Sequence, residues 1–164
     1  MGRSYMKKGV NSLKHVIIGN SAAAVGAVEA IRRNDKQSRI EIISNESYHV
    51  YSRPLISYLL MGKTGEEKMK YRDDDFYINN GCELKLNKTA MKIDVSQKLV
   101  IFEDGDYESY DKLLIATGSS PFIPPIKGLD KVRSKFTFTR LDDAKALDAA
   151  LKKNSKVLIV GAGL

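Results

Sequence analysis

Gly19-Asn20-Ser21-Ala22-Ala23-Ala24 follows directly on a run of aliphatic residues. That order suits one kind of chemistry, the holding of a dinucleotide pyrophosphate. Such a site needs a glycine turn after a strand, so that backbone N–H groups at the start of the next helix can approach the phosphates. Gly19 supplies the turn. The full G-x-G-x-x-G pattern is degraded, with Ser21 at the close-approach position and Ala24 at the helix-packing position. Ala24 adds one methyl at a contact. Ser21 is the larger departure, although its hydroxyl can itself donate to a phosphate oxygen. On this motif alone, a tight strand-to-helix turn with no ligand stays open as a reading. An acid placed after the second strand commonly accepts hydrogen bonds from the adenosine ribose. Glu46 is the candidate, ahead of Glu41, which lies inside the strand; a plain surface carboxylate is the alternative for Glu46.

Other chemistries lack their residues. No Ser-His-Asp set and no paired catalytic carboxylates stand out. His15 and His49 are far apart and join no Cys, Asp or Glu at metal-ligand spacing, so no metal is expected. The single cysteine, Cys82, can form no internal disulfide. It reads as a small apolar residue rather than a nucleophile, and it fits a reducing compartment. The net charge of +7 comes from 27 Lys and Arg against 20 Asp and Glu. The basic residues are dispersed among acidic ones without aromatic interleaving, which argues against nucleic acid and leaves a solvated basic surface or an acidic protein partner. No apolar run is long enough to cross a bilayer, and Met1 to Ser12 lacks the apolar core of a secretory signal, so no membrane role and a cytoplasmic location are expected. Residues 1–13 read as an untidy or tag-like start.

The elements that must position these residues can be read from periodicity. Lys14 to Gly19 is a short buried strand, Ser21 to Arg33 a helix with a basic end, and Arg39 to Ile43 a second strand. Together they form a strand-helix-strand unit of the nucleotide-binding kind. Pro54 opens a helix over 55–61 closed by Gly62, and another short helix is expected over 73–78. From Glu83 to Tyr110 short apolar runs, with Asp104-Gly105 as a hairpin turn, predict an antiparallel meander inserted into the α/β domain. Asp111 to Thr117 returns to a buried strand, Pro121 to Pro125 is a stiff linker, and Leu141, Ala144, Leu147 and Leu151 mark a helix face. Lys156 to Val160 reads as another buried strand leading into Gly161-Ala162-Gly163-Leu164, repeating the pattern of Lys14 to Gly19.

Four segments, in order, resemble one family. Tyr51-Ser52-Arg53-Pro54-Leu55-Ile56-Ser57 is similar to a flavin-facing loop, and Tyr110 to Pro121, with Ala116-Thr117-Gly118, to an ATG motif. Phe138 to Ala144 resembles a return segment, and Val157 to Leu164 the opening of a second nucleotide fold. The chain thus resembles the FAD-dependent pyridine nucleotide-disulfide oxidoreductase superfamily. The nearest branch is that of NADH oxidases, NADH-rubredoxin reductases and the flavin portion of nitrite reductases. The resemblance implies a Rossmann-like FAD-binding domain with a parallel sheet and the inserted antiparallel β-meander over residues 14–130. Residues 131–164 would then be the return segment and first strand of an NAD(P)-binding domain.

Carried over by position, the resemblance places Gly19, Ser21 and Ala22 at the FAD pyrophosphate and Glu46 at the ribose. Arg53 and Pro54 fall beside the pyrophosphate and flavin, Ala90 at the adenine, and Ala116, Thr117 and Gly118 along the cofactor. Two features depart from relatives: Tyr58 stands where several have a lysine near the flavin, and the redox cysteines are missing. The implied activity passes electrons from NAD(P)H through FAD to an external acceptor, such as rubredoxin, oxygen or a nitrite-reducing centre. An acidic acceptor protein and self-association are the expected partners. A fragment that binds FAD or an adenine nucleotide without turnover is the alternative, since the chain stops inside the second glycine motif.

Overall fold

The computed structural model describes residues 12–161. The expectations for the opening residues and for Ala162-Gly163-Leu164 lie outside them. Contacts divide the chain into two units, the first running to Tyr51 and from Lys70 to Gly118, the second comprising Ser52–Met69 and the residues from Ser119 onward.

The first unit is built on a four-stranded parallel sheet with strand order β3-β2-β1-β7. The strands are β1 (Lys14–Ile18), β2 (Arg39–Ile43), β3 (Cys82–Lys85) and β7 (Lys112–Ile115), joined in every pair as parallel neighbours. Helix α1 (Ala22–Asn34) connects β1 to β2, ends in Arg32 and Arg33, and buries Ala24, Val25 and Val28. These pack with Ile17, Ile40 and Ile42, the sheet residues of one face, and with Phe76 and Tyr77 of α3 (Phe76–Asn79). Alternate residues of the same strands, Val16, Ile18 and Ile43, pack on the other face against Val100 and Phe102. Burial on both faces is why β1 and β2 are nearly continuous aliphatic runs.

The second face is covered by a three-stranded antiparallel meander of β4 (Ala90–Asp94), β5 (Leu99–Phe102) and β6 (Tyr107–Ser109). Asp104-Gly105 makes the turn between β5 and β6, with Gly105 at φ 87°. The expected meander is therefore present but begins later than Glu83. The run at Cys82–Lys85 pairs in parallel with β2, because the chain returns to it through helical turns rather than a hairpin.

Four charges cross between the sheet and the meander. Glu41 of β2, 2% exposed, lies 2.8 Å from Lys14 Nζ and 2.7 Å from Lys85 Nζ. Both lysines also bond Glu108 of β6. Burial alone would raise the Glu108 carboxyl, but hydrogen bonds from Lys14 and Lys85 outweigh it and hold the group at about 2. Lys85 is held above its ordinary value, the bonds to Glu108 and Glu41 overcoming its own burial.

In the second unit a 3-10 turn at Arg53–Leu55, with Pro54 in its first turn, runs into α2 (Ile56–Leu60), which packs on α4 (Leu141–Ala150). Ile56, Met69, Leu141 and Ala144 are buried. Asp143 anchors the start of α4, accepting from the N–H groups of Thr139 at 2.8 Å and Arg140 at 3.0 Å. The expected strand at Lys156–Val160 is not formed. Leu158 is 88% exposed and Ile159 80%, and none of the described residues supplies the ladder partner that a strand requires. Among the described residues no helix is long and apolar enough to cross a membrane.

Candidate functional site

Parallel strands that share one direction bring their following turns to a common edge. Here that edge carries Gly19 after β1, Glu46 after β2, and Ala116, Thr117 and Gly118 after β7. The register aligns them, since Ile18 pairs with both Ile43 and Ile115. Gly19 donates its N–H to Ile43 O at 2.7 Å, and Ala116 donates to Ile18 O at 2.7 Å. Gly19 has φ 115°, and a Cβ there would stand 2.1 Å from the Ala116 carbonyl oxygen. The glycine is thus demanded first by the neighbouring strand end. Gly118, at φ 71°, turns the chain away in open space.

Ser21 caps α1 in an extended conformation, φ −137° and ψ −166°, and its side chain makes no capping bond. The first turn contains no acidic residue. Ala22 and Ala23 are exposed while Ala24 is fully buried, so alanine at the packing position sits in the core with Ile17, Ile40 and Ile42 of the sheet. The first-turn N–H groups of a helix have no intrahelical acceptors and carry the positive end of its dipole. With Ser21 Oγ uncommitted to capping, this turn has donors for an anion.

Glu46 is 8% exposed. Tyr51 donates its hydroxyl to Glu46 Oε2 at 2.7 Å, and the Glu46 N–H donates to Ser44 Oγ at 3.1 Å. Tyr48 stands edge-on to Tyr51 with ring centroids 6.1 Å apart. The two candidate acids therefore separate by role: Glu41 belongs to the charge cluster beneath the meander, and Glu46 is beyond the strand end. Ala90 opens β4 and, with Ile18, Ile93, Ile115 and Thr117 among others, lines a cavity of about 170 Å³.

Arg53 and Pro54 belong to the second unit, where Arg53 Nη1 donates to Thr139 O at 3.2 Å. Tyr58 is 49% exposed, with Lys63 Nζ 6.0 Å from its ring centre. Cys82 is half-buried against the α1 side of the core, and burial pushes its thiol up to about 11. Sequence reasoning missed one network entirely. Tyr77 donates to Asn20 Oδ1 at 2.7 Å and accepts from the Val50 N–H at 3.3 Å, while Asn20 Nδ2 donates to Tyr48 O at 3.3 Å.

A parallel sheet with a glycine turn into a helix and an acid past the second strand defines a Rossmann-like α/β domain. The chain belongs to the pyridine nucleotide-disulphide oxidoreductase family, whose model matches residues 13–164. It is 34% identical over 159 residues to the NADH-dependent phenylglyoxylate dehydrogenase subunit epsilon of Aromatoleum evansii, covering 97% of this chain and 38% of that protein. It is 37% identical over 150 residues to nitrite reductase [NAD(P)H] of Bacillus subtilis (strain 168), covering 91% of this chain and 18% of that protein. Among solved structures it resembles NADH:rubredoxin oxidoreductase from Clostridium acetobutylicum, with a TM-score of 0.71 and 25% identity over 85% of this chain and 35% of the other. The chain thus spans well under half the length of these relatives. Members of the family are FAD-dependent and use NAD(P)H.

The residues present fit a flavin dinucleotide. The uncapped, acid-free start of α1 suits a pyrophosphate, and Glu46 stands at the strand end where a ribose would be bound.

Proposed function

We propose that the chain is the FAD-binding portion of an NAD(P)H-dependent flavoprotein oxidoreductase that delivers electrons to an external acceptor. The start of α1 is the observation that carries this reading, because it combines a forced glycine turn, free donors and no acidic residue. Ser21 and the N–H groups of Ala22 and its neighbours would hold the pyrophosphate, and Gly19 would set their direction. Glu46, oriented by the Tyr51 hydroxyl, would accept from the adenosine ribose. Ala90 would meet the adenine through its backbone, and Ala116 to Gly118 would run along the cofactor. FAD, when bound, supplies the capacity to take a hydride from NAD(P)H and pass electrons on singly or in pairs. No side-chain nucleophile is required of the protein. The relatives named for rubredoxin and nitrite support a redox partner or centre as acceptor, and the basic surface suits an acidic one.

A second reading is an FAD-binding module with no turnover of its own, since the start of α1 and Glu46 would hold a nucleotide and supply no reacting group. Reconstitution with FAD tests the first step: a flavin absorbance band that co-elutes with the protein is expected, and colourless protein refutes both readings. Bleaching of that band by NADH separates the enzyme from the module. Glu46→Gln should weaken FAD roughly 10-fold, as for a hydrogen bond to a charged acceptor, and leave FMN binding unchanged. Equal loss for FMN would remove Glu46 from the ribose.

A further inference from the structure

Past Gly19, at φ 115°, the turn into α1 has no side-chain cap from Ser21. A side chain from a distant helix meets it. Tyr77 of α3 is 6% exposed, and its ring is held edge-on by Phe76 at 5.3 Å and His49 at 4.9 Å between centroids. Its hydroxyl donates to Asn20 Oδ1 and accepts from the N–H of Val50, which is itself fully buried. The other end of the Asn20 amide donates to the Tyr48 carbonyl. With both ends of the amide engaged, the residue between Gly19 and Ser21 has one orientation. Burial also pushes the Tyr77 phenol up, outweighing its hydrogen bonds, so the group stays protonated and remains a donor.

We propose that Tyr77 is a positioning residue: through Asn20 it fixes the turn whose donors receive the FAD pyrophosphate, and it locks that turn to the Tyr48–Val50 segment that follows Glu46. The link to FAD rests on the reading given above, while the fixing of the turn does not. Removing the hydroxyl leaves the Val50 N–H and Asn20 Oδ1 unpaired and the amide held at one end only, by its bond to Tyr48 O. The turn then has to be ordered when the ligand binds, which weakens binding without removing any direct contact.

The test uses the whole chain as Tyr77→Phe, Asn20→Ala and the double variant. In ligand-free protein, backbone order parameters at Asn20, Ser21 and Ala22 are expected near 0.85 in the parent and below about 0.6 in Tyr77→Phe, with β2 and β5 unchanged. FAD affinity should fall about 5- to 10-fold in each single variant and by clearly less than the product of the two in the double, because both remove the same Tyr77–Asn20 bond. Unchanged order parameters at these residues, or losses that multiply in the double variant, overturn the proposal. A parent chain that binds no FAD defeats the flavin reading instead, and the order parameters then decide the role of Tyr77 alone.

Discussion

Replacing Gly19 with alanine should damage the fold far more than its position at a turn suggests. The added Cβ would lie 2.1 Å from the Ala116 oxygen and 2.6 Å from its carbonyl carbon, both backbone atoms that no side-chain rotation can move. The φ of 115° adds a conformational strain of roughly 1–3 kcal/mol for a residue with a side chain, and overpacking against a fixed neighbour adds about 1–3 kcal/mol. Relief requires the end of β7 to withdraw from β1, which breaks the bond from Ala116 N to Ile18 O. A total near 4 kcal/mol is a large part of the roughly 5–15 kcal/mol that holds a domain together. Gly26 is the internal control. It lies inside α1 with nothing within 4 Å of an added Cβ, so the same substitution there should stabilise by about 0.5–1 kcal/mol. Urea unfolding followed by far-ultraviolet circular dichroism reads both. The reasoning fails if Gly19→Ala stays within about 0.5 kcal/mol of the parent, or if the two alanine variants shift in the same direction.

Three further outcomes can be checked. Glu108 has a folded value near 2 against an ordinary 4.5, so its contribution is complete above pH 4.5 and is lost as pH falls toward 2; Glu108→Gln should flatten that part of a urea-midpoint profile and cost on the order of 2 kcal/mol at pH 7. An unchanged acid slope would show that Lys14 and Lys85 do not hold the carboxylate. Cys82, raised to about 11 by burial, should react with an aromatic disulfide reagent at pH 8 roughly 100-fold more slowly than an open thiol, and labelling at the open rate refutes its packing in β3. The exposed apolar residues Phe122 and Ile123 should produce concentration-dependent self-association in sedimentation velocity, which Phe122→Lys with Ile123→Lys reduces; a monomer at every concentration removes that expectation.

The β1-α1-β2 unit was legible because each strand is buried on both faces and announces itself as an aliphatic run, while α1 carries small residues toward the sheet and arginines at its end. Cys82-Glu83-Leu84-Lys85 misled because alternation over a few residues looks the same in a half-covered parallel edge and in a meander. Its partner β2 lies some forty residues earlier, and only the crossover between them decides the direction. At Val157 to Val160 the residues state what could be buried, but a ladder needs a neighbour that local pattern cannot supply. In the candidate site, Glu46 was singled out from its place after a strand, and the fold buries it there with the Tyr51 hydroxyl on its carboxylate. The bond from Tyr77 to Asn20 spans 57 positions and joins two residue types common in loops and helices alike, so nothing in either neighbourhood pointed to the other.

The charges beneath the meander act as a keyed fit. Glu108 faces inward between the exposed Tyr107 and Ser109, so sliding β6 by one place along β5 would present a phenol or a hydroxyl to the two lysines and swing the acid outward. The misaligned state would strand Lys14 and Lys85 around Glu41 alone, with an excess positive charge under cover. A slipped arrangement is thereby penalised electrically as well as by its lost apolar packing. A chain whose flat aliphatic strands could tolerate several alignments is left with one.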